Sequence, residues 1–198
     1  MTRYVRRFSR TERVLHWANA LAFFTLLGSG LVLYLPTLAS LVGRRPFVKD
    51  LHLWSGIGWI ALLALVVLLG DRRGILRTAR EIETFDADDI RWLLRRKPAP
   101  QGRFNAGQKL NAAVTAAFTV LFAVSGILLW VGERDTRFRF ASTVILHDGL
   151  MFVALALLAG HLYLAVIHPA TRHALRGMTV GTVSEEWAAR HHAKWKPQ

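Results

Sequence analysis

The sequence predicts an all-α integral membrane protein, a bundle of four transmembrane helices, and three observations carry that reading. Apolar residues fill 53 % of the 198 positions and the mean hydropathy is +0.28, high for a water-soluble domain. They concentrate in four stretches, about 14–35, 51–70, 110–131 and 142–167, each long enough to meet the ~20 residues that cross ~30 Å of hydrocarbon. The lysines and arginines divide 20 against 6 between alternating connections. Backbone polar groups in lipid must be satisfied within their own segment, so these stretches are helices. A soluble bundle would show helices with one polar face, and these are apolar all round.

Taken in order, a basic amino-terminal arm opens the single domain 1–198. The first span follows; it is too long for the apolar region of a signal peptide, and cleavage there would discard His16. An outer connection containing Pro36 and Pro46 leads to the second span. The connection 71–109 is too long to be a simple link. Its stretch 74–94 mixes apolar and charged residues at helical spacing, which suits one or two short amphipathic helices on the membrane surface. Pro98 and Pro100 end that region, and Phe104-Asn105-Ala106-Gly107-Gln108-Lys109 leads into the third span. A short outer connection, the fourth span and a basic tail, 168–198, complete the chain, with no internal repeat expected. The positive-inside rule puts both termini and the connection 71–109 in the cytoplasm. The net charge of +13 is thereby a topology signal, with membrane lipid rather than nucleic acid as the partner. The absence of cysteine excludes disulfides, iron–sulfur clusters held by this chain and thioether-linked haem.

Four histidines carry the chemistry. His147 and His161 are fourteen residues apart in the last span. On a helix that interval returns to within about 40° of the same face, displaced by roughly 21 Å. One helix therefore offers an imidazole at each of two membrane levels. Alternating topology puts His16 at the inner level and His52 at the outer one, which pairs His52 with His147 and His16 with His161. An imidazole inside a span loses its water and needs a partner. A porphyrin iron supplies one through the neutral ring nitrogen. Four imidazoles in two layers fit two stacked, bis-histidine haem b groups.

Other residues leave alternatives open. Gly28, Gly30, Gly56, Gly58, Gly126, Gly149 and Gly160 suit either close helix packing or a flat macrocycle between helices. Trp17, Trp54, Trp92 and Trp130 fall near span ends, where tryptophan anchors at the interface or packs on a haem edge. Asp148 either tunes the outer layer, carries a proton or faces water. His168, His173, His191 and His192 are expected to be exposed in the cytoplasm.

The chain also resembles a known family, the cytochrome b (gamma) subunit of membrane-bound respiratory formate dehydrogenase. That family sits within a wider group of four-helix diheme b cytochromes that also serves nickel–iron hydrogenases and thiosulfate reductase. The likeness runs over nearly the whole chain. It includes Arg13-Val14-Leu15-His16-Trp17, Tyr34-Leu35-Pro36-Thr37-Leu38, the Asn105-Ala106-Gly107-Gln108-Lys109 run and the His147/His161 interval. In the tail it covers Gly177-Met178, Val183-Ser184, Trp187-Ala188, His191-His192 and Trp195.

The resemblance implies that His16, His52, His147 and His161 are the axial ligands of two haem b groups, in the pairing above. It also implies a quinone pocket for menaquinone or ubiquinone beside the inner haem, formed by Asn105, Gly107 and His161. The implied role is an electron-transfer subunit of a formate:quinone oxidoreductase in a bacterial inner membrane. Electrons would arrive from a periplasm-facing iron–sulfur (beta) subunit and, behind it, a molybdenum or tungsten catalytic (alpha) subunit. This chain alone would not oxidise formate. A cytochrome b subunit of a hydrogenase or another quinone-linked oxidoreductase, and a haem-free transporter or scaffold, are the other readings.

Overall fold

The protein is described from a computed structural model covering residues 2–197. In chain order the elements are β1 (Tyr4–Arg6), α1 (Arg10–Tyr34), α2 (Pro36–Val42), α3 (Arg45–Leu69), α4 (Arg72–Glu83), α5 (Ala87–Leu93) and α6 (Ala106–Gly132). A short 3₁₀ turn precedes α7 (Ala141–Leu162), which runs on through a π-helical turn, Tyr163–Ile167. The tail holds α8 (Leu175–Thr179), β2 (Thr182–Ser184) and α9 (Glu185–His191).

Among the described residues four helices are long and apolar enough to span a membrane: α1, α3, α6, and α7 with its π-helical extension. Their surfaces give the physical reason. Leu21, Leu69 and Ile145 are 71 %, 78 % and 73 % exposed. Leaving such side chains in water forgoes about 1.5–3 kcal/mol each, so a surface studded with them belongs in lipid.

Two differences from the expected boundaries come from caps. Residues 36–42, expected as loop, form α2, because Pro36 is pre-set for the first helical turn and Gly43, at φ +63°, supplies the left-handed residue that ends it. α6 begins at Ala106, ahead of the expected 110, because Asn105 and Gln108 form a reciprocal cap. Asn105 Oδ1 accepts from the Gln108 N–H at 2.9 Å, and Gln108 Oε1 accepts from the Asn105 N–H at 3.1 Å.

The chain divides into two compact units, and each has its own logic. One comprises Leu69–Ala116 with the two chain ends, up to Val14 and from His161; the other comprises Leu15–Leu68 and Ala117–Gly160. The first unit therefore gathers the three basic segments that the charge pattern grouped together. Its strands add a small ribbon to the expected all-α fold: β1 pairs antiparallel with β2, Val5 opposite Val183. Val183, Trp187 and Ala188 are buried there, packed by Val5, Ala174 and Trp195. The tail is thus a folded cap rather than a solvated extension. Arg103, also buried, ties the unit together. It donates to Glu12 at 2.8 Å, Glu81 at 2.6 Å, the Arg7 carbonyl at 3.2 Å, and Thr78.

His192 corrects an expectation. It is not exposed but 2 % accessible, its ring packed on Trp187 and its Nδ1 2.6 Å from the Gly102 carbonyl. That carbonyl can only accept, so Nδ1 carries the proton. Burial, and then the charge of Arg7, push the imidazole down to about 3. Burial, and then Arg103, push Arg7 itself down to about 9. The unfolded chain binds a proton at His192 near pH 6.5 and the folded one does not, so stability falls as pH drops from 6.5 towards 3. The slope is at most about 1.4 kcal/mol per pH unit. His192→Asn keeps a donor for Gly102 and should flatten that part of the unfolding profile; parallel profiles for the two proteins would contradict it.

Candidate functional site

Among the expected ligands the structure brings His52 and His147 together. Both lie in the second unit, His52 on α3 and His147 on α7, with ring centroids 6.2 Å apart and planes at 74°. Each ring is gripped from an adjacent long helix. Ser29 Oγ on α1 is 2.9 Å from His52 Nδ1, and Ser125 Oγ on α6 is 2.8 Å from His147 Nδ1. A glycine follows each serine. A Cβ built on Gly30 would lie 3.4 Å from His52 Cε1, and one on Gly126 would lie 3.6 Å from His147 Cε1. Phe122 meets the His147 ring edge-on at 5.3 Å.

Sequence reasoning missed these serines, and with them a local correspondence between the two halves. Gly28-Ser29-Gly30-Leu31 and Val124-Ser125-Gly126-Ile127 stand 23 and 22 residues ahead of the histidines they hold. The paired Ser-Gly steps were legible, but reading the glycines as one undivided group of small residues hid them.

His16 and His161 belong to different units. His16, half-buried on α1, has its ring edge-on to Trp17 at 5.3 Å. His161 is exposed on the last turn of α7, immediately ahead of the π-helical turn. Trp17, Trp54, Trp92 and Trp130 all keep exposed faces, as interfacial anchors do. Asp148 is half-buried beside His147.

Asn105 and Gly107 lie in the first unit at the start of α6. The cap described above uses the Asn105 side-chain oxygen and fixes the amide's direction. Gly107 is not open space: a Cβ there would lie 3.0 Å from Trp92 Cη2 and 3.4 Å from Asn105 Oδ1. Glycine is what allows the α5 indole to close on α6. Lys109, one turn on from Asn105, reaches the buried Asp89 of α5 at 2.6 Å and the Thr84 carbonyl at 2.9 Å. Trp92 thus packs on the start of α6, a contact that neither expectation for it, interfacial anchor or haem-edge packing, included.

The family model described as prokaryotic cytochrome b561 matches residues 7–181. The chain is similar to the formate dehydrogenase cytochrome b556(fdo) subunit of Escherichia coli (strain K12), 27 % identical over 96 % of this chain and 90 % of that one. It is similar as well to the nitrate-inducible formate dehydrogenase cytochrome b556(Fdn) subunit of the same strain, at 26 % identity over 93 % and 86 %. A formate dehydrogenase cytochrome b556 subunit of Haemophilus influenzae is 24 % identical over 96 % of this chain and 81 % of its own length.

Proposed function

Because the chain belongs to the prokaryotic cytochrome b561 family, we propose that it is the diheme cytochrome b subunit of a membrane-bound formate dehydrogenase, delivering electrons to quinone. Haem b, when bound, supplies a one-electron centre that the side chains of this protein cannot supply.

The observation that carries the proposal is the His52/His147 pair. With ring centroids 6.2 Å apart and planes at 74°, the two imidazoles would hold a single haem iron between them. The donor set is all nitrogen, as a bis-imidazole iron requires. Gly30 and Gly126 keep Cβ atoms away from the ring edges. His16 and His161 form the second ligand pair on the topological argument, with the charge pattern placing that level and both termini towards the cytoplasm. The outer level then faces an iron–sulfur subunit, through which a molybdenum or tungsten catalytic subunit feeds electrons. A reduced-minus-oxidised spectrum with haem quantification tests the reading: two b haems per chain are expected, and one or none refutes it. Formate dehydrogenase subunits are expected to co-purify; hydrogenase subunits in their place would move the chain to another complex.

Quinone is held beside the inner level by Asn105, Gly107 and His161. The Asn105 amide nitrogen donates to a quinone carbonyl while its oxygen stays on the helix cap, and Trp92, seated on Gly107, walls the pocket. Protons for the reduced quinone come from the cytoplasmic side, so inward electron flow separates charge. The cap gives this role a clean test. Aspartate caps helices as well as asparagine does, so Asn105→Asp keeps the start of α6 but removes the amide donor. Quinone reduction should fall at least tenfold with both haems retained; wild-type quinone kinetics would remove Asn105 from the site.

A further inference from the structure

We propose that Ser29 and Ser125 are positioning residues for the two axial ligands of one haem, each accepting the Nδ1 proton of its histidine so that Nε2 is the nitrogen offered to iron. This rests on the reading of His52 and His147 as a ligand pair, and adds to it which tautomer each ring adopts and what enforces it.

Proton counting makes the argument. A serine hydroxyl has one proton to give and lone pairs to accept with. Ser29 Oγ lies 2.7 Å from the Thr25 carbonyl, four residues back on α1, and Ser125 Oγ lies 2.7 Å from the Leu121 carbonyl, four residues back on α6. A carbonyl oxygen can only accept, so each hydroxyl proton is already committed. The longer approaches to Leu26 and Phe122, 3.2 and 3.3 Å, draw on the same proton. What each serine has left for its imidazole, at 2.9 and 2.8 Å, is a lone pair, so the ring nitrogen must be the donor. With Nδ1 protonated, a neutral ring has its free pair on Nε2. Ser29 and Ser125 are 6 % and 1 % exposed, so no water competes for these bonds.

The two devices match. Each is a serine bonded back to its own helix, followed by a glycine against which the ring's Cε1 edge rests. A ring fixed at Nδ1 on one side and lodged over a glycine on the other has little freedom to turn. A hydrogen bond donated from Nδ1 also makes the imidazole a more basic ligand, which favours the more positively charged iron. Both serines act on the same haem, so their effects should accumulate on one midpoint.

Potentiometric titration of the purified holoprotein, with low-spin haem electron paramagnetic resonance, tests this. Ser29→Ala and Ser125→Ala should each raise the ferrous-to-ferric ratio at fixed potential roughly three- to tenfold, the range set by one hydrogen bond. A tenfold change is 59 mV for a one-electron couple. Only the midpoint of the haem lost in His147→Ala should move, with altered g-values at that haem alone. Ser→Thr at either position, which restores the hydroxyl, should return both signatures towards wild type. Should an alanine variant bind no haem at that level, haem content decides: recovery in the threonine variant supports the assignment, and loss in both overturns it. Unmoved midpoints and g-values, or a shift in the other haem, also overturn it while leaving the ligand pair intact. If His147→Ala retains both haems, the ligand pair itself falls and this assignment with it.

Discussion

Replacing His147 with alanine should take the purified protein from two b haems per chain to one and stop electron delivery to quinone. The expectation is large because, among the described residues, no second histidine stands ready to replace it. Asp148, next in the chain, lies about 100° further round the helix, and besides His52 the ring meets Ser125, Phe122 and Gly126, none of which offers iron a strong donor. His52 would be left facing it alone, still held by Ser29. The same loss is expected for His52→Ala, and the two variants should not be additive, because either one empties the same position. His191→Ala is the control, since that ring stacks on Trp187 at 4.9 Å in the other unit. Pyridine haemochrome quantification reads the outcome. Full haem content in His147→Ala would end the ligand assignment, and a loss in His191→Ala would show that haem content reports folding instead.

The spans, the alternating charge and the fourteen-residue His147/His161 interval were legible because each is a property of one short stretch, measured against lipid thickness or helical period. The His52/His147 pairing was legible at one remove, since alternation of direction across a membrane assigns levels without any contact being known. What stayed hidden depends on contacts between distant positions. His192 meets Gly102 across 90 residues and Arg7 meets Arg103 across 96, so the tail looked like solvated basic chain when it is the lid of a small core. A strand of three residues, such as Tyr4–Arg6, has too few positions for its alternation to stand out from loop. Gly107 reads as spare room in isolation, and only the indole of Trp92, fifteen residues earlier on α5, shows what fills it.

That contact motivates the second large effect, which concerns Asp89 and Lys109. Their ion pair is buried, and Asp89 also accepts the Asp86 N–H at 3.0 Å to close the cap of α5. Asp89→Ala would leave the Lys109 ammonium with the Thr84 carbonyl and the Phe85 ring, 5.5 Å away, as its remaining partners. Breaking one side of a buried pair costs about 3–5 kcal/mol, because the surviving charge cannot regain its water. The pair joins α5 to the first turn of α6, so its loss should free α5 and lift Trp92 from Gly107. Quinone reduction should then fall while the His52/His147 haem, in the other unit, is retained. Asp89→Ala with Lys109→Met removes both charges and should recover part of the lost stability, so the double variant lies closer to wild type than the sum of its parents. Thermal unfolding and proteolysis of the 70–105 connection measure this directly. Strict additivity would mean that the two side chains act separately, and α5 would then be held in place by its apolar contacts alone.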